Sequence, residues 1–334
     1  MRHIVFLSIL FAFGCEKKVF PAKVQDSKIV SVDSKLFLSH TENVAVKIVD
    51  CTLNTGTKTK CYEIETKGIP VDHNAGPFCP KHIHDQKDNG GTWFLKDSLV
   101  NVDGSFIKSM ADTYHDDFWK MYEDDGKVIK TENKEECDLI SRGQLSDELL
   151  NHCIDCQLSY ISEDYSRTFL IPVTPVKLES PMEIIDFVPG GNGAPPGPPP
   201  GGDEERPKGP PPGGGAQVRG IAFNGVVFDA PAPIEIILGG YSIAPLDHAG
   251  GHVNPNTGYH YHAATGKTKE VAQADSHEPM IGYAMDGYGI YAHSHAADLD
   301  ECLGHYDEVR GYHYHADAAG SNNFINCFRG AIAE

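Results

Sequence analysis

A chain of 334 residues with 40% hydrophobic content is long enough to bury one large core or two ordinary ones. Its 47 acidic against 28 basic residues leave a formal net charge of -19. That balance, with no basic stretch to neutralise phosphates, excludes a nucleic-acid partner and favours cations.

At the N-terminus Arg2 precedes an apolar run from Ile4 to Phe13 that ends in Gly14 and Cys15. This reads as an export signal, because the run falls short of the roughly 20 apolar residues that a membrane span needs, and no later segment approaches that length. Ala12-Phe13-Gly14-Cys15 resembles a bacterial lipobox with Ala in the leading position usually held by Leu. Residues 1–15 are therefore expected to form a signal peptide with Cys15 as the lipidation site, ordinary secretion being the alternative. The polar residues 16–40 read as a tether. The expected address is the cell envelope, periplasmic or extracellular, with the membrane touched only through a lipid anchor.

From residue 41 to about 330 the pattern predicts a mainly β fold, a single large domain with minor helix. Val44 to Val49 alternates, and Phe118 to Lys130 reads as strand, Asp-Asp-Gly turn, strand. Glu132 to Leu150 is the best helix candidate. Cys15 aside, eight of the nine cysteines remain, an even number that implies disulfides in an exported chain. Cys302 and Cys327 are isolated from the rest and are expected to pair; Cys153-Ile154-Asp155-Cys156 is expected to serve structural disulfides. Residues 189–215 are rich in Pro and Gly without a strict Gly-X-Y period, and read as a flexible insertion flanked by strand-like Ile184 to Val188 and Ile221 to Phe228.

The most informative feature is a duplication. Residues 246–263 and 299–316 share Leu, Asp, Gly, His, Gly, Tyr, His, Tyr, His and Ala at a constant offset of 53, without a gap. On a strand, Tyr-His-Tyr-His sends both histidines to one face and both tyrosines to the other. A hairpin would return the earlier Gly-His as a third ligand, so His252, His260, His262, His305, His313 and His315 are expected to form a shared or paired metal centre with approximate two-fold symmetry. A single His-x-His would read as a solvated strand face; six histidines in two matching frames favour metal. Asp247 and Asp300 are candidates for a ligand, a partner that orients a ligand histidine, or a turn cap. Asp286 of Asp-Gly reads first as a turn residue, with ligand or acid/base roles open. His293 and His295 lie between the units and are candidates for further ligands; His82 and His84 are as readily a solvated loop as a second site. His277 and His115 receive no role. Tyr259, Tyr261, Tyr312 and Tyr314 read as packing groups with bonded hydroxyls.

These units, with Gly220 to Val226, Pro279 to Tyr288 and Cys327-Phe328-Arg329-Gly330, resemble the YHYH-domain proteins, a family of exported proteins with no established reaction. Gly68-Ile69-Pro70-Val71-Asp72-His73 is similar to an earlier family element, so the resemblance implies a domain over roughly residues 45 to 330. A metal-binding envelope protein is the leading expectation, with a divalent transition metal, copper or zinc, as the partner of imidazole ligands. Six methionines without clustering argue against a thioether copper shuttle. A metal-dependent hydrolase or oxidoreductase at the same site is the second reading, unsupported by a Gly-x-Ser-x-Gly elbow, His-Glu-x-x-His helix or Walker loop. An adhesion or scaffold module without metal is the third.

Overall fold

The computed structural model describes residues 28–141, 147–185 and 218–334. The leader with Cys15, residues 16–27 and the Pro/Gly-rich insertion lie outside the described residues, whereas residues 28–40 of the expected tether pack on the domain, with Val32 and Phe37 buried. The strands are β1 (Val44–Thr52), β2 (Lys58–Thr66), β3 (Thr92–Leu95), β4 (Ser98–Asn101), β5 (Arg167–Pro172), β6 (Lys177–Glu183), β7 (Gly220–Ala222), β8 (Val227–Phe228), β9 (Gly251–Asn254), β10 (Gly258–Tyr261), β11 (Met280–Ala284), β12 (Gly289–Tyr291), β13 (Gly304–Asp307), β14 (Gly311–His315) and β15 (Cys327–Gly330). The helices are short: α1 (Gly104–Lys108), α2 (Met110–Tyr114), α3 (Lys134–Ser141) and α4 (Ile234–Gly239). The protein is thus mainly β, as its alternating patterns predict.

The largest sheet has eight strands in the order β13-β14-β12-β11-β7-β8-β10-β9, which reads alike from both ends. Its centre is the antiparallel pair β7 and β11, with Ile221 opposite Tyr283. Moving outward, β8 pairs with β7 through Ile221 and Val227, and β12 pairs with β11 through Tyr283 and Gly289. Each then meets a hairpin strand in parallel, Phe228 beside Tyr261 and Ile290 beside Tyr314. The duplication is therefore longer than the 18-residue unit. It includes Gly220 to Phe228 and Gly282 to Ile290, at an offset of 62. The offset falls from 62 to 53 because the first copy's connection carries nine extra residues, a stretch that contains α4.

One face of this sheet packs on a three-stranded sheet ordered β1-β2-β5, where Val44, Ile64, Phe169 and Ile171 bury against Ile221, Phe223, Val227, Tyr283 and Tyr291. The opposite face presents Phe228, Tyr259, Tyr261, Ile290, Tyr312 and Tyr314 to the larger core, shared with Trp93, Met121, Phe324 and Phe328. Burying each such side chain fully contributes roughly 1.5–3 kcal/mol. Residues on both sides of the insertion enter this core.

Four disulfides join Cys51 to Cys61, Cys79 to Cys153, Cys137 to Cys156 and Cys302 to Cys327. Cys153 and Cys156 thus serve two different staples, and the expected pairing of Cys302 with Cys327 is present. Four such bonds fit a protein that folds in an oxidising, exported setting. Among the described residues no helix is long and apolar enough to cross a membrane.

Three local expectations are corrected. Phe118 to Lys130 keeps its turn, with Gly126 N–H donating to Glu123, but it forms isolated bridges at Tyr122–Val128, His82–Lys127 and Lys130–Cys153 in place of a strand hairpin. The helix candidate reduces to α3 and a single 3-10 turn at Asp147–Leu149, on either side of residues not described. Of the strand-like segments around the insertion, Ile221 to Phe228 supplies β7 and β8, whereas Ile184 and Ile185 lie just past the end of β6 outside any strand, and residues 186–188 lie outside the described residues.

Candidate metal centres

The duplicated motif decodes residue by residue. Its second glycine, Gly258 or Gly311, has φ of +83° or +67° and closes the hairpin turn. Its first, Gly251 or Gly304, leaves room for a tyrosine: a Cβ there would lie 2.7 Å from the Tyr259 hydroxyl oxygen or 2.2 Å from that of Tyr312. Between them Asn254 and Asp307 use side-chain oxygens to accept turn N–H groups, from Asn256 and from Val309. The hairpins then pair His252 with His260 and His305 with His313. His260 also lies beside Val227 and His315 beside Tyr291, on the face covered by the three-stranded sheet, and the tyrosines point the other way.

The six histidines come together in two groups, one at each end of the sheet. The first is His252, His260 and His262; the second is His305, His313 and His315 joined by His277. Four strands separate β10 from β14, about 24 Å at ~4.8 Å per spacing, so the arrangement is paired and not shared. Within each group one ligand-type atom from every residue lies within 4.8 Å of the others.

The hydrogen bonds fix the tautomers. In the first group Nδ1 of His252, His260 and His262 faces the carbonyl oxygens of Ala244, Gly258 and Ala230 at 3.3, 3.0 and 2.8 Å. In the second, Nδ1 of His313, His315 and His277 faces the carbonyls of Gly311, Ala292 and Glu278 at 3.0, 2.9 and 3.0 Å, and that of His305 faces Asp298 Oδ1 at 3.1 Å. Those oxygens only accept, so each Nδ1 carries the hydrogen, and Nε2 of the neutral ring carries a lone pair. Yet the Nε2 atoms face one another: 3.1 Å for His252 with His260, 3.1 Å for His305 with His313, 3.1 Å for His277 with His313, and 3.3 Å for His315 with His305. Two lone pairs at that distance repel unless a cation lies between them. Nitrogens ~2.05 Å from a tetrahedral ion stand about 3.3 Å apart, which is the spacing found.

Burial keeps four of these rings neutral, those of His252, His262, His313 and His315. It lowers His252 and His313 to about 3 and His315 to about 4, and pushes His262 well down, with neighbouring imidazoles adding to the effect. Ligands held neutral need lose no proton when an ion binds.

His277 had no signal in the sequence, since it lies outside the duplicated unit and is delivered by a loop before β11. Arg310 clamps that loop, bonding Asp275 on one side and Asp307 of the β13 turn on the other. Asp298 also escaped notice; it orients His305 as a carboxylate behind a ligand. His293 and His295 stand in neither group: their rings meet edge to face with centroids 4.7 Å apart, and His293 Nδ1 faces Ala316 O. His82 and His84 likewise pack together, with His82 Nε2 on the Asp125 carbonyl.

The aspartates lie on the tyrosine side, away from the imidazoles. Asp247 accepts from Tyr259 at 2.8 Å and from Ala249 N–H, and Asp300 accepts from Tyr312 at 3.0 Å and from Cys302 N–H, so both cap turns. Asp286 accepts from Tyr314 at 2.6 Å and from the N–H groups of Tyr288 and Gly330; burial pushes it up to about 6. The tyrosines are raised by burial, remain protonated and donate.

No curated protein and no solved structure matches the chain. Residues 211–298, part of the 45–330 implied by the resemblance, match the family model described as YHYH protein, and the matched stretch includes the first hairpin and the β11–β12 pair.

Proposed function

We propose that this is an exported metal-binding protein of the cell envelope, holding one transition-metal ion, copper or zinc, at each of two histidine centres. The observation that carries the reading is the set of Nε2 lone pairs facing one another at 3.1–3.3 Å while every Nδ1 donates elsewhere. An all-imidazole donor set suits zinc and copper, and the oxidised cysteines offer no competing thiolate. The acidic chain draws cations toward it. The leader ending at Gly14-Cys15 supports export and a lipid tether at Cys15; detergent phase partitioning of the mature protein tests that, with a water-soluble, unmodified Cys15 contradicting it.

Metal analysis of protein purified without chelator and then offered zinc is expected to give two ions per chain. Replacing His260 and His262 by Ala should remove one. A wild-type chain that binds none, or a double variant that keeps two, would falsify the reading.

A further inference from the structure

The two centres differ in how many imidazoles they offer. Among the described residues the second has four, His277, His305, His313 and His315, whereas the first has three, His252, His260 and His262. At the offset that superposes β7 on β11, the counterpart of His277 is Gly215, and residues 186–217 contain no histidine. The clamp is one-sided too. Where the second copy has Arg310, tying down the loop that carries His277, the first has Thr257, whose carbonyl accepts from Tyr165. Tetrahedral ions held by four protein ligands are closed, and those held by three keep a position for water or a small ligand.

Resting on the reading of both clusters as metal centres, we infer that they have separate tasks: the second is a closed structural centre, and the first keeps one exchangeable position that takes water or a small anion. His252 is partly exposed on the edge strand β9, as His305 is on the edge strand β13, so the difference between the centres lies in the number of imidazoles and not in exposure. Water held at the first centre would be acidified by the ion and displaced by an anion that binds metal directly.

Cobalt(II) tests this, because its visible absorption reports a change in coordination. The wild-type protein loaded with two equivalents of cobalt and titrated with azide is expected to show a shift in one ion only. His260→Ala with His262→Ala should remove that response together with one cobalt, and His252→Gln serves as a milder second variant. His277→Ala opens the second centre and should roughly double the azide-sensitive absorbance. Azide acting on both ions of the wild type, or on neither, overturns the inference while leaving metal binding intact. A wild-type chain that takes up no cobalt contradicts the underlying reading instead.

Discussion

In the first copy Tyr259 donates to Asp247, and the residue 3.3 Å beyond that hydroxyl is His73, itself paired to Asp72. In the second copy Tyr312 donates to Asp300, and Arg329 stands 3.4 Å from the carboxylate and over the tyrosine ring. The first hairpin is braced by the upstream part of the chain, since Tyr259 N–H bonds Gly68 O and Gly76 N–H bonds Asp247. The second is braced by the C-terminal strand, through Arg329 and through Cys302–Cys327. Duplication has kept the imidazoles, the carbonyl acceptors of two of them and the turn glycines, while His252 faces the Ala244 carbonyl where His305 faces the Asp298 carboxylate. The groups one layer further out have diverged: Ala249 against Cys302, Asn224 against Asp286, Thr257 against Arg310. A shared donor set with different bracing is what two centres of one chemistry and unequal reactivity require.

Acid should strain both copies, and most strongly. The folded-state values of His252, His313 and His315 lie below 6.5, so the unfolded chain binds more protons between pH 6.5 and about 3. Their contribution is fully present above 6.5 and is lost as the pH falls. For fully buried His313 alone this amounts to on the order of 5 kcal/mol, at about 1.36 kcal/mol per pKa unit. Asp286 works in the opposite sense, its folded value raised from 3.8 to about 6, so its contribution fades as pH rises through that interval. Denaturant melts of metal-free protein across pH 3 to 7 are therefore expected to show stability rising with pH; a flat profile would deny that the rings are buried and neutral.

Removing the staple makes the second copy resemble the first. Cys302→Ala with Cys327→Ala is expected to cost about 3–4 kcal/mol by freeing a loop of some 26 residues in the unfolded chain, read as a lower denaturation midpoint. Loss of much less would mean that β15 is held by Arg329 and packing alone.

Arg310→Thr transplants the first copy's residue into the second and releases the loop that carries His277. Zinc affinity at the second centre should fall about 10-fold or more, as for other groups that support a ligand, with the first centre unchanged in calorimetric titration. An equal fall at both would show that the copies are coupled. Tyr259→Phe is expected to have the smallest effect, about 1–2 kcal/mol, because buried Asp247 loses a donor but keeps its N–H partners; a metal affinity that fell with it would tie the tyrosine face to the ions.

Much of the site was legible because its geometry is local. The eight-residue separation of His252 and His260 implies a hairpin, and strand alternation then fixes which side chains share a face. The longer duplication was hidden, since Gly220 to Phe228 and Gly282 to Ile290 share only Gly220/Gly282, Ala222/Ala284 and Gly225/Gly287. Those strands are defined by burial on both faces, a demand that many apolar residues meet. His277 was hidden for another reason: a loop delivers it, held by Arg310 from a different turn, and no sequence period records such a contact. The three alternatives for Asp247 and Asp300 were separable only when Tyr259 and Tyr312 were seen to reach them.

The central claim is that two separate ions sit in imidazole cages at opposite ends of one sheet. A crystal of the zinc-loaded protein, with anomalous difference maps recorded on either side of the zinc absorption edge, tests it most directly. The account predicts two peaks, one among His252, His260 and His262 and one among His277, His305, His313 and His315. A single peak bridging the copies, or peaks elsewhere with both clusters empty, would contradict it.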